Sequence, residues 1–112
     1  MPTLYISTAE IGPGLFIQHG FATIIAARSI GANCWINQQV TIGYSNATDL
    51  PTLHDNVVVN AGAKIIGNVT LGANCIIGAN AVVVKDVPPN VTVVGVPARI
   101  VRRSGIRVDE AL

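Results

Sequence analysis

An aliphatic residue recurs at a spacing of six along most of this chain. The series consists of Ile11, Ile17, Ile24, Ile30, Ile36, Ile42, Leu53, Val59, Ile65, Leu71, Ile77 and Val83, the first two lying one residue out of register with the next four. A period of six is neither the period of about 3.6 of an α-helix nor the alternation of a long strand. It indicates short strands separated by tight turns, which wind into a parallel β-helix. Three strands would close a triangular coil of about 18 residues, so the chain supplies about four to five coils.

The third position after each aliphatic residue is occupied mainly by residues that tolerate a left-handed backbone. These predicted corners are Gly14, Gly20, Ala27, Asn33, Gln39, Ser45, Asn56, Gly62, Asn68, Asn74, Asn80 and Asp86. Glycine and asparagine turn a chain sharply at little steric cost. The fourth position is mostly small or β-branched and is predicted to point inward. Cys34 and Cys75 fall there, so we expect both to be buried packing residues rather than nucleophiles.

The length of 112 residues suits a single domain, residues 1–112. Pro88 and Pro89 interrupt the repeat, because proline donates no hydrogen bond to a strand ladder. The C-terminal tail, about residues 97–112, is expected to cover the open end of the stack as a short cap.

The composition excludes several classes of partner. A net charge of +1 offers no basic surface for nucleic acid or an anionic membrane. The uncharged run from Ile65 to Val84 is broken by asparagines every six residues, which argues against a membrane span. Two cysteines without a CxxC motif support neither a disulfide nor a four-ligand zinc site, and favour a reducing, cytoplasmic setting. Because half of the residues are hydrophobic and 12% are charged, self-association is expected.

Two interruptions of the repeat mark candidate binding loops. One extra residue follows His19-Gly20, and the polar segment 44–51 replaces a regular hexad. Insertions in repeat proteins form loops on one face and commonly line a binding site.

Several motifs resemble those of a known family. The segment 11–20 (IGPGLFIQHG), the run 60–68 (NAGAKIIGN) and the ending 95–99 (GVPAR) are similar to the hexapeptide-repeat acyltransferases, particularly the catalytic β-helix of serine O-acetyltransferases. The resemblance implies a left-handed β-helix, although parallel crossovers are normally right-handed. It also implies a homotrimer with sites between subunits, and acetyl-coenzyme A as the donor to a hydroxyl group.

The same resemblance assigns His19 as the general base. An alcohol attacks a thioester poorly until a base removes its proton, and imidazole is suited to that step near neutral pH. Gln18 stands where the family has an acidic residue before the base, and it is a candidate substrate-binding residue together with His54, which would approach from the neighbouring chain. Glu10 and Asp55 are candidates for orienting His19.

For the coenzyme, the resemblance indicates Gly43, Ala61 and Ala79. Ala61 and Ala79 are 18 residues apart, about one coil, and small side chains there would let an extended pantetheine arm lie along the coils. Lys85 and Arg99 flank the proline-rich end and are candidate partners for the phosphates, since phosphate favours cationic groups. The equal alternative for each of these two cations is a solubilising surface charge.

The departures from the family concern the acceptor. Leu4 stands where the family has a carboxylate, and Asp49 and Leu50 stand where it has an arginine and a histidine. A zwitterionic amino acid left without charged partners would bind poorly. We therefore expect a sugar or surface-polysaccharide hydroxyl as acceptor. Serine O-acetylation, as in cysteine biosynthesis, is the alternative, and the same losses would also fit a feebly active paralogue.

Two other classes of protein were weighed. Zinc lyases on the same scaffold need three histidines around each metal, whereas this chain has only His19 and His54, so no metal is expected. A non-catalytic β-helix binding protein is the further alternative, but it would require neither the GVPAR ending nor a histidine beside an inserted loop. The outward positions of Phe16, Trp35 and Tyr44 suggest the subunit interface.

Overall fold

The computed structural model describes residues 4–18, 22–44 and 49–112, which form sixteen β-strands. The strands are β1 (Leu4–Ile6), β2 (Glu10–Ile11), β3 (Phe16–Ile17), β4 (Thr23–Ile25), β5 (Ser29–Ile30), β6 (Trp35–Ile36), β7 (Thr41–Gly43), β8 (Thr52–Leu53), β9 (Val58–Val59), β10 (Lys64–Ile66), β11 (Thr70–Leu71), β12 (Ile76–Ile77), β13 (Val82–Val83), β14 (Val91–Val94), β15 (Arg99–Arg103) and β16 (Ile106–Ala111). In the part of the chain that is described, no helix is long and apolar enough to cross a membrane.

The strands form three sheets that wrap around one axis. Sheet A has the order β1-β4-β7-β10-β13, sheet B β2-β5-β8-β11, and sheet C β3-β6-β9-β12-β14-β15-β16. Every pairing up to β14 is parallel, and in sheets A and B each strand pairs with the strand three further along. In the last coil a single bridge between Leu71 and Val87 replaces the sheet B strand. The predicted parallel β-helix of four to five triangular coils is confirmed.

The core consists of aliphatic columns that run through successive coils. In sheet A the register places Ile25, Ile42, Ile65 and Val83 above one another, and all four side chains are fully buried. Each coil therefore buries its apolar edge against its neighbours, as expected for a solenoid. The predictions for Cys34 and Cys75 are also confirmed, since their exposed fractions are 1% and 0%.

One position of the predicted series is wrong. Ile24 is 45% exposed on the outer face of sheet A, and Ile25 takes the inward place. Ile25 follows Ile17 by eight positions, and Ile30 follows Ile25 by only five. The segment before β4 is therefore longer than a hexad, and the next corner is shorter. The spacing of the sequence alone did not predict this division.

Two of the three corners use the left-handed backbone that was predicted. Positive φ angles occur at Gly14, Asn33, Asn56 and Asn74 between sheets B and C, and at Gln39, Gly62 and Asn80 between sheets C and A. Between sheets A and B the prediction is wrong, because positive φ is found at Gly67 and not at Ala27, Asn68 or Asp86. The predicted corners Gly20 and Ser45 lie outside the described residues.

The C-terminal segment caps the stack as an antiparallel extension of sheet C. Strand β15 pairs with β14, and β16 pairs with β15 as the outermost strand. Val108 and Leu112 pack against the core. The expected cap is therefore present, and it begins with the antiparallel pairing at Arg99.

Candidate acetyl-coenzyme A site

Sheet A and its edges carry the residues assigned to the coenzyme from the sequence. Gly43 ends β7, and Ala61 and Ala79 lie at the corner between sheets C and A. The Asn80 amide donates to the carbonyl oxygen of Ala61 at 2.9 Å, so Ala61 and Ala79 occupy neighbouring coils as expected. An added Cβ atom at Gly43 would meet no atom within 4 Å. The structure thus leaves open space beside Gly43, although this residue is itself buried.

Lys64 links two coils at the same corner through hydrogen bonds. The Lys64 Nζ donates to the carbonyl oxygens of Gln39 at 2.8 Å and Gly62 at 3.0 Å, and these two residues belong to successive coils. This contact was not predicted from the sequence, although Lys64 precedes an inward Ile65 and so had to point outward. Its ammonium group places a positive charge at this corner, between the coils of Gln39 and Gly62.

A cavity of about 340 Å³ lies where sheet A meets the cap. Its walls include Val82, Pro97 and Leu112, and its cationic groups are Lys85 and Arg99. The fold therefore brings together the two cations that the sequence proposed for phosphate binding, from positions 14 residues apart in the chain. Both side chains belong to exposed residues.

Arg99 already has an anionic partner. Its Nε and Nη2 atoms donate to Oδ1 of Asp109 at 3.1 and 2.8 Å. Asp109 lies on β16 and was not singled out from the sequence, because the pairing of β15 with β16 includes an irregularity that a repeat pattern does not predict.

One predicted substrate-binding residue, Gln18, directly follows β3. His19, the assigned general base, lies outside the described residues. Gln18, which precedes His19 in the chain, is partly buried, and its backbone N–H donates to the carbonyl oxygen of Ile36 at 3.0 Å. Gln18 follows a strand of sheet C, so it lies at the corner that leads into sheet A.

His54 lies on another part of the molecule. It follows β8 of sheet B and borders an open groove of about 560 Å³, which also contains Glu10 and Asp55. Asp55 accepts a hydrogen bond from the Ala32 amide at 2.8 Å, so its carboxylate fixes a corner of the coil. Within one chain the fold does not bring Glu10, Asp55 or His54 to Gln18, since they occupy a different corner of the triangle. A shared site would need a second subunit.

The residues at the departures from the family are two leucines and an aspartate. Leu4 is 47% exposed at the start of sheet A. Asp49 and Leu50 are partly buried beside the buried Pro51. Among the described residues, no group of three or more His, Cys, Asp or Glu side chains is placed to hold a metal ion.

The outer faces of the sheets differ in polarity. Sheet C presents Phe16 and Trp35, whose rings meet edge to face with centroids 5.1 Å apart. Ile76 continues this column and is 39% exposed. Tyr44, the third predicted interface residue, is exposed at the corner after sheet A and so does not join the aromatic pair.

The chain is similar to known acetyltransferases and to one transferase family. The family described as bacterial transferase hexapeptide (six repeats) matches residues 51–85. Among curated proteins, the serine acetyltransferase of Synechococcus elongatus is 49% identical over 105 residues, which are 90% of this chain and 43% of that protein. The serine acetyltransferase of Staphylococcus xylosus is 45% identical over 106 residues, covering 91% of this chain and 49% of that protein.

Solved structures give the same result. Serine acetyltransferase from Neisseria gonorrhoeae matches with a TM-score of 0.80 and 40% identity, over 88% of this chain and 42% of that chain. A soybean serine acetyltransferase complexed with serine matches with a TM-score of 0.78 and 38% identity, over 82% of this chain and 40% of that one.

The chain matches the hexapeptide-repeat transferase family over residues 51–85, and its fold matches the left-handed β-helix of these proteins, as the sequence indicated. It is also similar to serine acetyltransferases, of which it spans about half the length or less. The similarity supports acetyl transfer to a hydroxyl and favours the serine alternative over the expected sugar acceptor.

Proposed function

We propose that this chain is the β-helix of an acetyl-coenzyme A-dependent O-acetyltransferase whose acceptor is serine or a hydroxyl compound of similar size. The proposal is supported by the position of Gly43, Ala61 and Ala79 at the edges of sheet A and by the cavity that Lys85 and Arg99 line where sheet A meets the cap. Small residues along the coils suit an extended arm, and cations at one end suit its phosphates. The named activity and the serine ligand of the related proteins support the acceptor class.

The chemistry assigned to His19 is proton transfer. Its imidazole takes the proton from the acceptor hydroxyl as the oxygen attacks the thioester carbonyl. The carbon–sulfur bond then breaks, the acetyl ester forms, and the histidine returns its proton to the leaving thiolate. Removing a general base typically costs about 10²–10⁴ in rate.

A homotrimer is part of the proposal, because His54 and Gln18 occupy different corners of one chain. A site between subunits would let His54 of one chain serve the acceptor bound beside His19 of the next. The cytoplasmic location expected from the cysteines stays a prediction.

A sugar hydroxyl is retained as the second candidate acceptor. It is favoured by the exposed leucine at position 4 and by Asp49 and Leu50 at the positions where the related pattern has charged partners for an amino acid. An acceptor without charge would not require those partners.

The test begins with a calorimetric titration of the purified protein with acetyl-coenzyme A. Binding at one site per chain, followed by thiol release with L-serine that exceeds release with a panel of sugars, is the expected result. Release with sugars alone would favour the second candidate. No binding up to millimolar acetyl-coenzyme A would contradict the whole proposal.

The proposed base is tested by His19→Ala, with His54→Ala beside it. We expect His19→Ala to lower turnover by about 10²-fold or more while the melting temperature is unchanged. The effect of His54→Ala should fall mainly on the KM of the acceptor. Near-normal turnover of His19→Ala would remove this residue from the mechanism.

A further inference from the structure

The cap supplies both a wall and a counterion to the cavity at the end of sheet A. Ala111 and Leu112, at the end of β16 and just beyond it, line the cavity together with Lys85 and Arg99. Two residues before Ala111 on the same strand, Asp109 binds Arg99 through two hydrogen bonds to a single carboxylate oxygen. Strand β16 therefore contributes both to the wall of this cavity and to its charge.

The contact occupies the Nε–Nη2 edge of the guanidinium group, one of the two edges that could bind an anion through paired hydrogen bonds. A guanidinium group presents its donors as a planar fork that matches a carboxylate or a phosphate. In this structure Asp109 takes the Nε and Nη2 donors of that fork. A phosphate group could use them only after the Asp109 carboxylate has moved away.

The position of strand β16 allows the Asp109 carboxylate to move away from Arg99. Strand β16 is the outermost strand of sheet C and pairs on one side only. The Arg99 and Asp109 side chains are 50% and 82% exposed, and ion pairs at exposed positions contribute little to stability. A multiply charged anion can therefore compete with this carboxylate.

We propose that Asp109 is a positioning residue that weakens the binding of coenzyme A by holding Arg99, so that β16 sets the affinity for the phosphate end of the coenzyme. This inference rests on the proposed function, because it identifies the cavity as the phosphate end of the same site. Its specific content is that the carboxylate of Asp109 and a phosphate group compete for the Nε–Nη2 edge of Arg99.

The variant Asp109→Asn tests this, since it keeps the size of the side chain and removes its charge. We expect the Kd for coenzyme A, measured by calorimetry at low ionic strength, to fall by about threefold to tenfold. The gain should shrink at high salt, because exposed charge interactions are screened there. In the Arg99→Gln background, Asp109→Asn should produce no gain.

The matched control is Glu110→Gln on the same strand. Glu110 binds Arg103 at 2.8 Å, the same distance as the shorter contact of the Arg99 pair, but neither residue lines the cavity. We expect its Kd for coenzyme A to equal that of the wild-type protein. An equal gain in both variants would mean that the cap is merely loosened, and it would overturn the inference, as would an unchanged Kd in Asp109→Asn.

Two further measurements separate this inference from the proposed function. Thermal unfolding of both variants shows whether the cap remains folded. Inorganic pyrophosphate serves as a second anion, which does not depend on the rest of the coenzyme. If the wild-type protein fails to bind coenzyme A but Asp109→Asn tightens pyrophosphate through Arg99, the proposed function fails and the competition stands. If no variant binds either compound, both fail.

Discussion

At the scale of the residue, asparagine occupies many of the left-handed positions at which this chain turns. Asn33, Asn56, Asn74 and Asn90 occupy one corner in successive coils, all with φ between 58° and 65°. The Asn74 side-chain amide donates to Oδ1 of Asn90 at 3.1 Å, which links two coils at that corner. Asparagine thus supplies both a tolerated left-handed backbone and a bond between coils.

The variant Asn74→Val should destabilise the stack by about 1–2 kcal/mol or more, because a β-branched residue resists the left-handed conformation. The control is Asn74→Gly, which keeps the backbone freedom and loses only the exposed hydrogen bond. Urea denaturation of the two variants measures the difference. Equal stability of both would show that left-handed geometry at this corner has no energetic importance.

The buried thiols show a second consequence of position. Burial is the main cause that raises the pKa of Cys75 to about 12, and it also raises the pKa of Cys34. The Cys34 Sγ donates to the carbonyl oxygen of His54 at 3.2 Å. Because the thiolate is the reactive form, both cysteines are expected to be inert, in agreement with their assignment from the repeat.

At the scale of the element, two glycines at strand ends have opposite surroundings. A Cβ atom at Gly31, after β5, would lie 2.6 and 2.7 Å from backbone atoms of His54 and Asp55. At Gly43, at the end of β7, it would meet nothing within 4 Å. The first glycine is required by the stacking of the coils, and the second leaves space above sheet A.

We therefore predict that Gly31→Ala destabilises the protein by about 1–3 kcal/mol, the usual range for overpacking against a rigid neighbour. The variant Gly43→Ala should keep the wild-type melting temperature and weaken acetyl-coenzyme A binding about tenfold, because its methyl group would meet the arm along sheet A. Calorimetric titration and thermal unfolding of both variants provide the measurement. Unchanged binding by a folded Gly43→Ala protein would place the coenzyme elsewhere.

The cap carries a titratable pair of its own. The hydrogen bond from Arg103 lowers the pKa of Glu110, so the folded state favours the charged carboxylate. A depressed folded-state pKa gives a stabilisation that is present above the ordinary glutamate range and lost as the pH falls through the lowered pKa. Wild-type protein should be slightly more stable than Glu110→Gln at pH 7, and the difference should vanish in acid, once the pH has fallen below the lowered pKa of Glu110. A difference of the same size at both pH values would contradict the assignment.

Elements governed by the repeat could be predicted from the sequence, and those outside it could not. The spacing from Leu53 to Val83 gave each inward position, because uninterrupted hexads leave one possible register. The insertion before β4 made the prediction of Ile24 wrong, since burial shows that Ile25 takes the inward position. The Arg99–Asp109 contact depends on an antiparallel pairing that no repeat encodes. The site residues were carried by motifs, and His19 remains a prediction.

At the scale of the whole molecule, the three faces predict how copies associate. Sheet C presents Phe16 and Trp35, which are 52% and 43% exposed, whereas the outer positions of sheet B are Glu10, Ser29, Thr52 and Thr70. An exposed aromatic pair is typical of a subunit interface, where such rings lose contact with water. We expect sheet C to contribute to the trimer.

Light scattering of the wild-type protein should give about three times the chain mass of 11.6 kDa. The variant Trp35→Lys should lower this mass, because a buried unpaired charge opposes association. The control Thr52→Lys places the same charge on the polar face and should leave the trimer intact. A trimer that survives Trp35→Lys would assign the interface to another face.

The parallel stacking of sheet A also fixes the distance between its first and last coils. Strand β4, the next strand after His19 in the chain, and β13, which comes just before Lys85, are separated by three strand spacings. At about 4.8 Å each, these amount to about 14 Å. A molecule that reaches from the first coils to the cap must therefore span a whole number of these spacings. Loss or gain of one coil would change that span by a fixed step and leave the local chemistry at each end as it was.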